Sequence, residues 1–277
     1  MELSVDKISD SPIEQAVERA IVTMNQNLGE RLTVDDLARA AMFSKFHFTR
    51  IFQRTTGVSP GRFLSALRLQ QAKRLLVSTS LSVADISMSV GYNSVGTFSS
   101  RFSRSVGMPP TVYRQRAGFA EQIRTGPALA AGQSSTAQVH GWVWPPHSDR
   151  DGLTFVGLFP DRIPEGQPIR CAVLTRPGRY QFDAIPPGTW YVLAQSIADD
   201  DANANLDPLN PRVCVATFGP LVVGRDTTIR ADLALKPVRF LDPPVLLALL
   251  DARKLAMARV KSEMARLPVM AAGQTAA

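Results

Sequence analysis

Two stretches of this chain repeat each other about fifty residues apart, a period at which one small supersecondary unit is built and then built again. Thr33-Val34-Asp35-Asp36-Leu37 aligns with Ser82-Val83-Ala84-Asp85-Ile86. Phe48, Phe52, Arg54, Gly57 and Pro60 recur as Phe98, Phe102, Arg104, Gly107 and Pro110. The offset grows from 49 to 50 between the blocks, which places one extra residue in the second copy's turn, around Asn93.

Each copy has the pattern of helix, tight turn, helix. Thr33 with Asp36, and Ser82 with Asp85, have capping-box spacing, in which hydroxyl and acid satisfy the orphan amides of a helix start. Short helices are expected to about Ala40 and Val90, with turns at Ala41-Met42-Phe43 and Gly91-Tyr92-Asn93. The second turn opens on a glycine suited to a left-handed C-terminal position. Ser44 and Ser94 are expected to cap longer helices that stop at Gly57 and Gly107. One such unit alone would be read first as a helical hairpin with a buried apolar face. Two units favour helix-turn-helix order, whose second helix lies in the DNA major groove.

Between the copies, Ser59-Pro60 supplies a cap and a first-turn proline. The helix they open is expected to run to about Val77, with Phe63, Leu64, Leu69, Leu75 and Leu76 packing inward and Arg68, Lys73 and Arg74 projecting outward. About 18 residues at about 1.5 Å each make a rod of roughly 27 Å. Such a rod can hold two recognition helices about one DNA turn apart on one face.

The net charge of +7 is concentrated in this region. Leu37 to Ala120 holds twelve Lys and Arg against the single acid Asp85, whereas sixteen bases nearly balance fifteen acids from Glu121 onward. Such an excess suits a surface that displaces counterions from phosphates, although a solvated basic face would carry the same charge.

The residues Pro60, Phe63-Leu64, Arg68-Leu69, Ala72, Leu75-Leu76, Thr79, Ser82-Val83, Asp85-Ile86, Val90-Gly91-Tyr92, Ser94, Phe98-Ser99, Phe102, Gly107, Pro110 and Tyr113-Arg114 resemble the signature of AraC/XylS transcription regulators. The likeness spans about 100 residues, Ile13 to Arg114. It implies a seven-helix module whose two recognition helices contact double-stranded DNA, and RNA polymerase as a further partner. Carried over by position, it implies base contacts from Phe46, Thr49 and Arg50 in the first unit and Val95, Gly96 and Ser100 in the second. Ser44, Lys45, Gln53, Arg54, Ser94, Thr97, Arg101 and Arg104 are then expected at phosphates or the groove edge. The sequence departs from the family in two ways. The module comes first where the family usually places it last, and Ser100 stands where an arginine is expected two residues before Phe102.

Composition changes near Gly118, after which come sixteen of the twenty prolines and short apolar runs. The runs VHGWVW, LTFVGLF, IRCAVLT, YQFDAI, TWYVLAQS, VCVATF and TTIRADLAL, separated by turn residues, predict an antiparallel β-sandwich. Gly178 to Gln195 resembles the strand, proline-glycine turn and strand of transthyretin-like and carboxypeptidase-regulatory-like sandwiches, a likeness that assigns no ligand. The expected multidomain order is a double helix-turn-helix domain (1–120), a linker (121–138), the sandwich (139–240), and a closing helix and tail (241–277). That helix, from about Val245 to Leu267, either packs on the sandwich or forms a short coiled coil in a homodimer.

Trp142, Trp144, Trp190 and Tyr191 either line a small-molecule effector pocket or fill the core. Asp201-x-Asn203-x-Asn205-x-Asp207 opens like a calcium loop, but it lacks the sixth-position glycine and has Arg212 where the late acid belongs. It is read as a polar surface loop. His47, His140 and His147 have no evident partners, and Cys171 and Cys214 are expected to be small buried hydrophobes. No metal, cofactor or catalytic constellation is expected, and neither is a membrane span or signal peptide, which points to the cytoplasm. The reading favoured is a sequence-specific, non-enzymatic DNA-binding regulator with an effector or pairing domain. The alternative is an architectural, nucleoid-type protein with a passive interaction domain.

Overall fold

The capping boxes expected from the repeat form in both copies. In the computed structural model, which describes residues 11–121, 135–145, 152–198 and 213–248, Asp36 N donates to Thr33 Oγ1 at 3.2 Å while Thr33 N donates to Asp36 Oδ2 at 2.9 Å. Ser82 and Asp85 exchange the same pair of bonds at 3.1 and 3.3 Å. The bonds from Thr33 also hold the Asp36 carboxyl below the ordinary carboxylate range.

These boxes open α2 (Val34–Ala40) and α5 (Val83–Ser89). Around them stand α1 (Pro12–Gln26), α3 (Lys45–Thr56), α4 (Pro60–Ser78), α6 (Val95–Val106) and α7 (Pro110–Gln115). Both short helices close on a left-handed residue with paired backbone bonds. Phe43 N reaches Ala38 O and Met42 N reaches Arg39 O, while Tyr92 N reaches Ser87 O and Gly91 N reaches Met88 O. This double closure satisfies carbonyls that a helix end otherwise leaves without partners. Met42 at φ 62° occupies the position that Gly91 fills at φ 82°.

Three local expectations are corrected. Ser44 and Ser59 stand at N-cap positions but make no side-chain capping bond, in contrast to Ser94, which accepts from Thr97 N. Arg68 does not project outward but donates to Leu28 O at 2.9 Å and Glu30 O at 2.6 Å. Lys73 is turned inward and is only 3% exposed. The physical reason is that α4 is covered from two sides. It buries Phe63, Leu64, Ala66, Leu67, Leu69, Gln70, Ala72, Lys73 and Leu76, and so has no single apolar stripe.

The second half builds two sheets. One has the order β4 (Arg179–Phe182), β1 (Gln138–Trp144), β7 (Thr228–Arg230), with β8 (Leu233–Ala234) also pairing β1. The other runs β3 (Arg170–Leu174), β2 (Gly152–Phe159), β5 (Gly188–Ala198), β6 (Val213–Val223), β9 (Lys236–Pro237). Side chains from both meet in one apolar cluster that includes Val139, Val143, Val156, Leu158, Tyr180, Val192, Leu221 and Leu233. The expectation of wholly antiparallel pairing is corrected, because β1 pairs parallel with both β7 and β8. The chain leaves β1, crosses to the other sheet, and returns along β1 in the same direction, as a long crossover permits and a hairpin does not. The single run expected over 227–235 splits at Ala231-Asp232. There the Asp232 carboxylate accepts from Trp142 N at 2.9 Å, and Arg230 pairs with it at 2.8 Å.

Val245 to Ala248 are not helical. The remainder of the expected closing helix lies outside the described residues, as do His147 and the calcium-like Asp201 to Asp207 segment. Cys214 is buried, but Cys171 on β3 is only half-buried because the pleat of this edge strand leaves it partly open. Among the described residues no helix is long and apolar enough to cross a membrane.

The two halves share a core. Ile163, Leu241, Leu246 and Ala248 belong to the same apolar cluster as Phe48, Phe52, Phe98 and Phe102.

Candidate nucleic-acid interface

The second helices of the two units, α3 and α6, are seated by the same aromatic ladder. Phe48 and Phe52 have ring centroids 5.4 Å apart, and Phe52 meets Phe63 of α4 edge-on at 5.4 Å. Phe98 and Phe102 are 5.6 Å apart, and Phe102 meets Tyr113 of α7 edge-on at 5.5 Å. The repeat therefore extends one step beyond what the sequence suggested: Tyr113 is the counterpart of Phe63, and α7 of the start of α4. All five phenylalanines are at most 1% exposed. Edge-on contacts of this kind add about 0.5–1.5 kcal/mol to what burial provides.

A helix whose apolar side is fixed presents its opposite side in a fixed direction. On α3 that side carries Phe46, Arg50, Gln53 and Arg54, with Thr49 half-buried beside them. Phe46 is 88% exposed, unusual for so large an apolar side chain. On α6 the exposed set is Val95, Gly96, Thr97, Ser100 and Arg104, with Ser94 just before it. Ser44 and Lys45 are exposed at the start of α3, where Lys45 Nζ lies 2.8 Å from Asp35 of α2. The residues expected at bases and phosphates thus cluster on two equivalent helix faces, except for Arg101. This half-buried side chain lies 3.7 Å from Glu165 of the second half.

Two further arginines brace the module from behind. Arg68 grips the α1–α2 connection as described, and Arg114 donates to Leu76 O at 3.0 Å and Leu81 O at 2.5 Å across the α4–α5 connection. Each fixes the segment that enters a capping box.

The sequence did not reveal a loop from the second half that reaches the ends of both α3 and α6. Arg62 pairs with Asp161 and, at 3.3 Å, with Glu165. Ser105 Oγ donates to Glu165 at 2.8 Å, and the Arg162 side chain lies across Gly57, which closes α3. Gly166 N donates to Ser105 O at 2.8 Å and Ala248 N to Val106 O at 3.0 Å. Two carbonyls of the last turn of α6 are therefore satisfied by the other half of the chain. Two isolated acids in a mixed loop carry no pattern from which this could have been read.

The four aromatic residues named as a candidate pocket separate into different surroundings. Trp142 and Trp144 stack at 5.3 Å, with Arg179 over Trp142, beside His140, Arg230 and Asp232. Trp190 donates to Pro186 O at 2.8 Å and joins the inter-sheet core, while Tyr191 packs with Phe155 and Phe159. His47 lies 4.9 Å from the ring of Phe43.

A helix-turn-helix domain family model matches residues 37–116, spanning both units. The HTH-type transcriptional activator AarP of Providencia stuartii is 29% identical over 115 residues, 41% of this chain and 85% of that protein. A solved transcriptional regulator from Chromobacterium violaceum with an AraC-type DNA-binding domain is 29% identical, covering 38% of this chain and 93% of that one at a TM-score of 0.37. The helical module is of the AraC/XylS type. The proteins that carry the similar module are described as transcription regulators and activators. The DNA-binding domain of AdpA, solved in complex with a target DNA, is 31% identical, covering 39% of this chain and 93% of that one at a TM-score of 0.34. Most of the curated relatives are matched over little more than a third of their length, such as 39% for the regulator YobQ of Bacillus subtilis. The family-model match lies within the helical module.

Proposed function

We propose that this protein is a sequence-specific regulator whose α3 and α6 enter adjacent major-groove segments of one duplex, under the control of its strand-rich half. The observation that carries the reading is the equivalent seating of α3 and α6 on their aromatic ladders, which leaves the opposite face of each exposed. Phe46, Thr49 and Arg50 are the principal base readers, with Val95, Gly96 and Ser100 on the second helix. Ser44, Lys45, Gln53, Arg54, Ser94, Thr97 and Arg104 serve phosphates and groove edges. The 19-residue α4 joins the units, and its length of about 28 Å suits successive turns of one groove face.

The second half is read as a β-sandwich with a regulatory role, and its support is the direct hold on α6. The alternative, an architectural protein with a passive second half, lacks a reason for Glu165, Gly166 and Ala248 to engage the end of a recognition helix. Selection of the full chain against random duplex DNA tests the reading. Enrichment of a two-part motif spaced by about one helical turn is expected, and even recovery of all sequences would establish the architectural alternative.

A further inference from the structure

Where the two halves meet they enclose a cavity of about 390 Å³, within the range of about 300–1,000 Å³ of small-molecule sites. Phe63 and Leu67 of α4 face Val213 and Val215 of β6 across it, with Val245 and Leu247 closing one side. Lys73 stands in this apolar wall. Its Nζ donates to Val245 O at 3.1 Å and lies 6.0 Å from the ring centroid of Tyr113. Burial alone lowers its pKa to about 7, with no carboxylate among the described residues acting on it. The other charges at the rim are Arg74, Arg239 and Asp242, of which Arg239 and Asp242 pair at 3.0 Å.

An ammonium group has three donors, and one is committed to Val245. A buried cation without an anionic partner is held at considerable expense of solvation, which a single bound anion offsets. Set among Phe63, Leu67, Val213 and Val215, with the amide side chains of Gln70 and Gln195 also in the lining, one buried amine matches a monoanion with an apolar body.

We propose that this interdomain cavity binds a small amphipathic monocarboxylate, its carboxylate on Lys73 Nζ and its apolar body between α4 and β6. The route to DNA is short. Val245 shares the Lys73 amine, and three residues later Ala248 N caps Val106 O of α6, so a ligand on Lys73 bears on the segment holding the second recognition helix. This regulatory consequence rests on the role proposed above for the second half, whereas the binding site does not.

Calorimetric titration of the full chain separates the two claims. The probes are 4-phenylbutyrate and octanoate, each compared with its neutral alcohol, 4-phenylbutanol and octanol. At least one carboxylate should bind tenfold or more tightly than its alcohol, and Lys73→Met should abolish that preference. Equal binding of acid and alcohol for both pairs, no binding by either acid, or a preference that survives in a folded Lys73→Met variant would each overturn the site. If Lys73→Met does not fold, Val215→Trp fills the cavity from the opposite wall. Loss of carboxylate binding then supports the site, and undiminished binding overturns it. A carboxylate that binds through Lys73 but leaves DNA affinity unchanged would refute control by the second half while leaving the site intact.

Discussion

Glu165 accepts a hydrogen bond from Ser105 Oγ at 2.8 Å, so an acid from the strand-rich half sits on the final turn of α6. The same carboxylate lies 3.3 Å from Arg62 and 3.7 Å from Arg101. Glu165→Ala should release Arg101 toward phosphate, while Arg62 keeps its pair with Asp161, raising DNA affinity about two- to threefold at low salt and steepening its salt dependence. These pairs are partly exposed, so the loss of stability should be only about 1 kcal/mol. Fluorescence anisotropy across a salt series measures the effect. Unchanged or weaker DNA binding in a folded variant would show that the acid does not restrain the module.

Met42 and Gly91 occupy the same left-handed position in the two units, and only one of them is suited to it. A side chain there is disfavoured by roughly 1–2 kcal/mol. Met42→Gly should therefore stabilise the protein by about 1 kcal/mol, with part of the gain returned as unfolded-chain entropy. Gly91→Ala should do the opposite and more strongly, because its Cβ would stand 2.5 Å from Leu28 O and 2.8 Å from Arg68. Urea unfolding of both variants provides the measurement, and equal effects at the two sites would contradict the assigned turn geometry.

Lys73 gives stability a pH dependence whose sign can be stated. Its amine ionises near 10.5 when exposed and near 7 in the folded chain. Between those values the unfolded chain holds more protons, so this group makes stability rise with pH, and its full penalty applies below about 7. Around it stand Arg74 and the Arg239–Asp242 pair, and burial raises the Tyr113 phenol so that it stays neutral. Lys73→Met should melt higher than the parent protein by the widest margin near pH 6, with the gap narrowing toward pH 10. A constant gap across that range would mean that the amine is hydrated or paired.

The two proposed reading faces differ in reach. Arg50 is exposed and long enough for a bidentate bond to guanine, an interaction contributing about 1–3 kcal/mol of discrimination, whereas its counterpart Ser100 is short. Arg50→Ala should flatten sequence preference in one half of the site by tenfold or more, and Ser100→Ala should change it little. Parallel selections with the two variants decide the matter. Equal effects would place readout on the second helix in Val95, Arg101 or bridging water.

The helical module was legible because its decisive signals are local. Thr33/Asp36 and Ser82/Asp85 cap within four residues, and Phe48/Phe52 and Phe98/Phe102 mark an inward face by spacing alone. Lys73 was misplaced because helical periodicity assumes one buried side, and the second cover on α4 comes from residues more than a hundred positions away. The parallel pairing of β1 with β7 and β8 was hidden for a similar reason, since alternation identifies a strand but not the direction of its neighbour. Phe46, Arg50 and Ser100 were assigned through family resemblance and lie on the exposed helix faces. Arg62, Asp161 and Glu165 carry their meaning only in three dimensions.

The donors that close the end of α6 are the main-chain amides of Gly166 and Ala248, not side chains. Such a link is indifferent to the side chain at Ala248, whereas Gly166, at φ 74° and with its absent Cβ 3.1 Å from Arg104 O, is held to glycine by its backbone. At Ala248 substitution can therefore accumulate without parting the two halves, except for proline, which has no N–H and would unfasten the contact directly. Related chains could then preserve the coupling while showing, beyond that glycine, little sequence similarity where it is made.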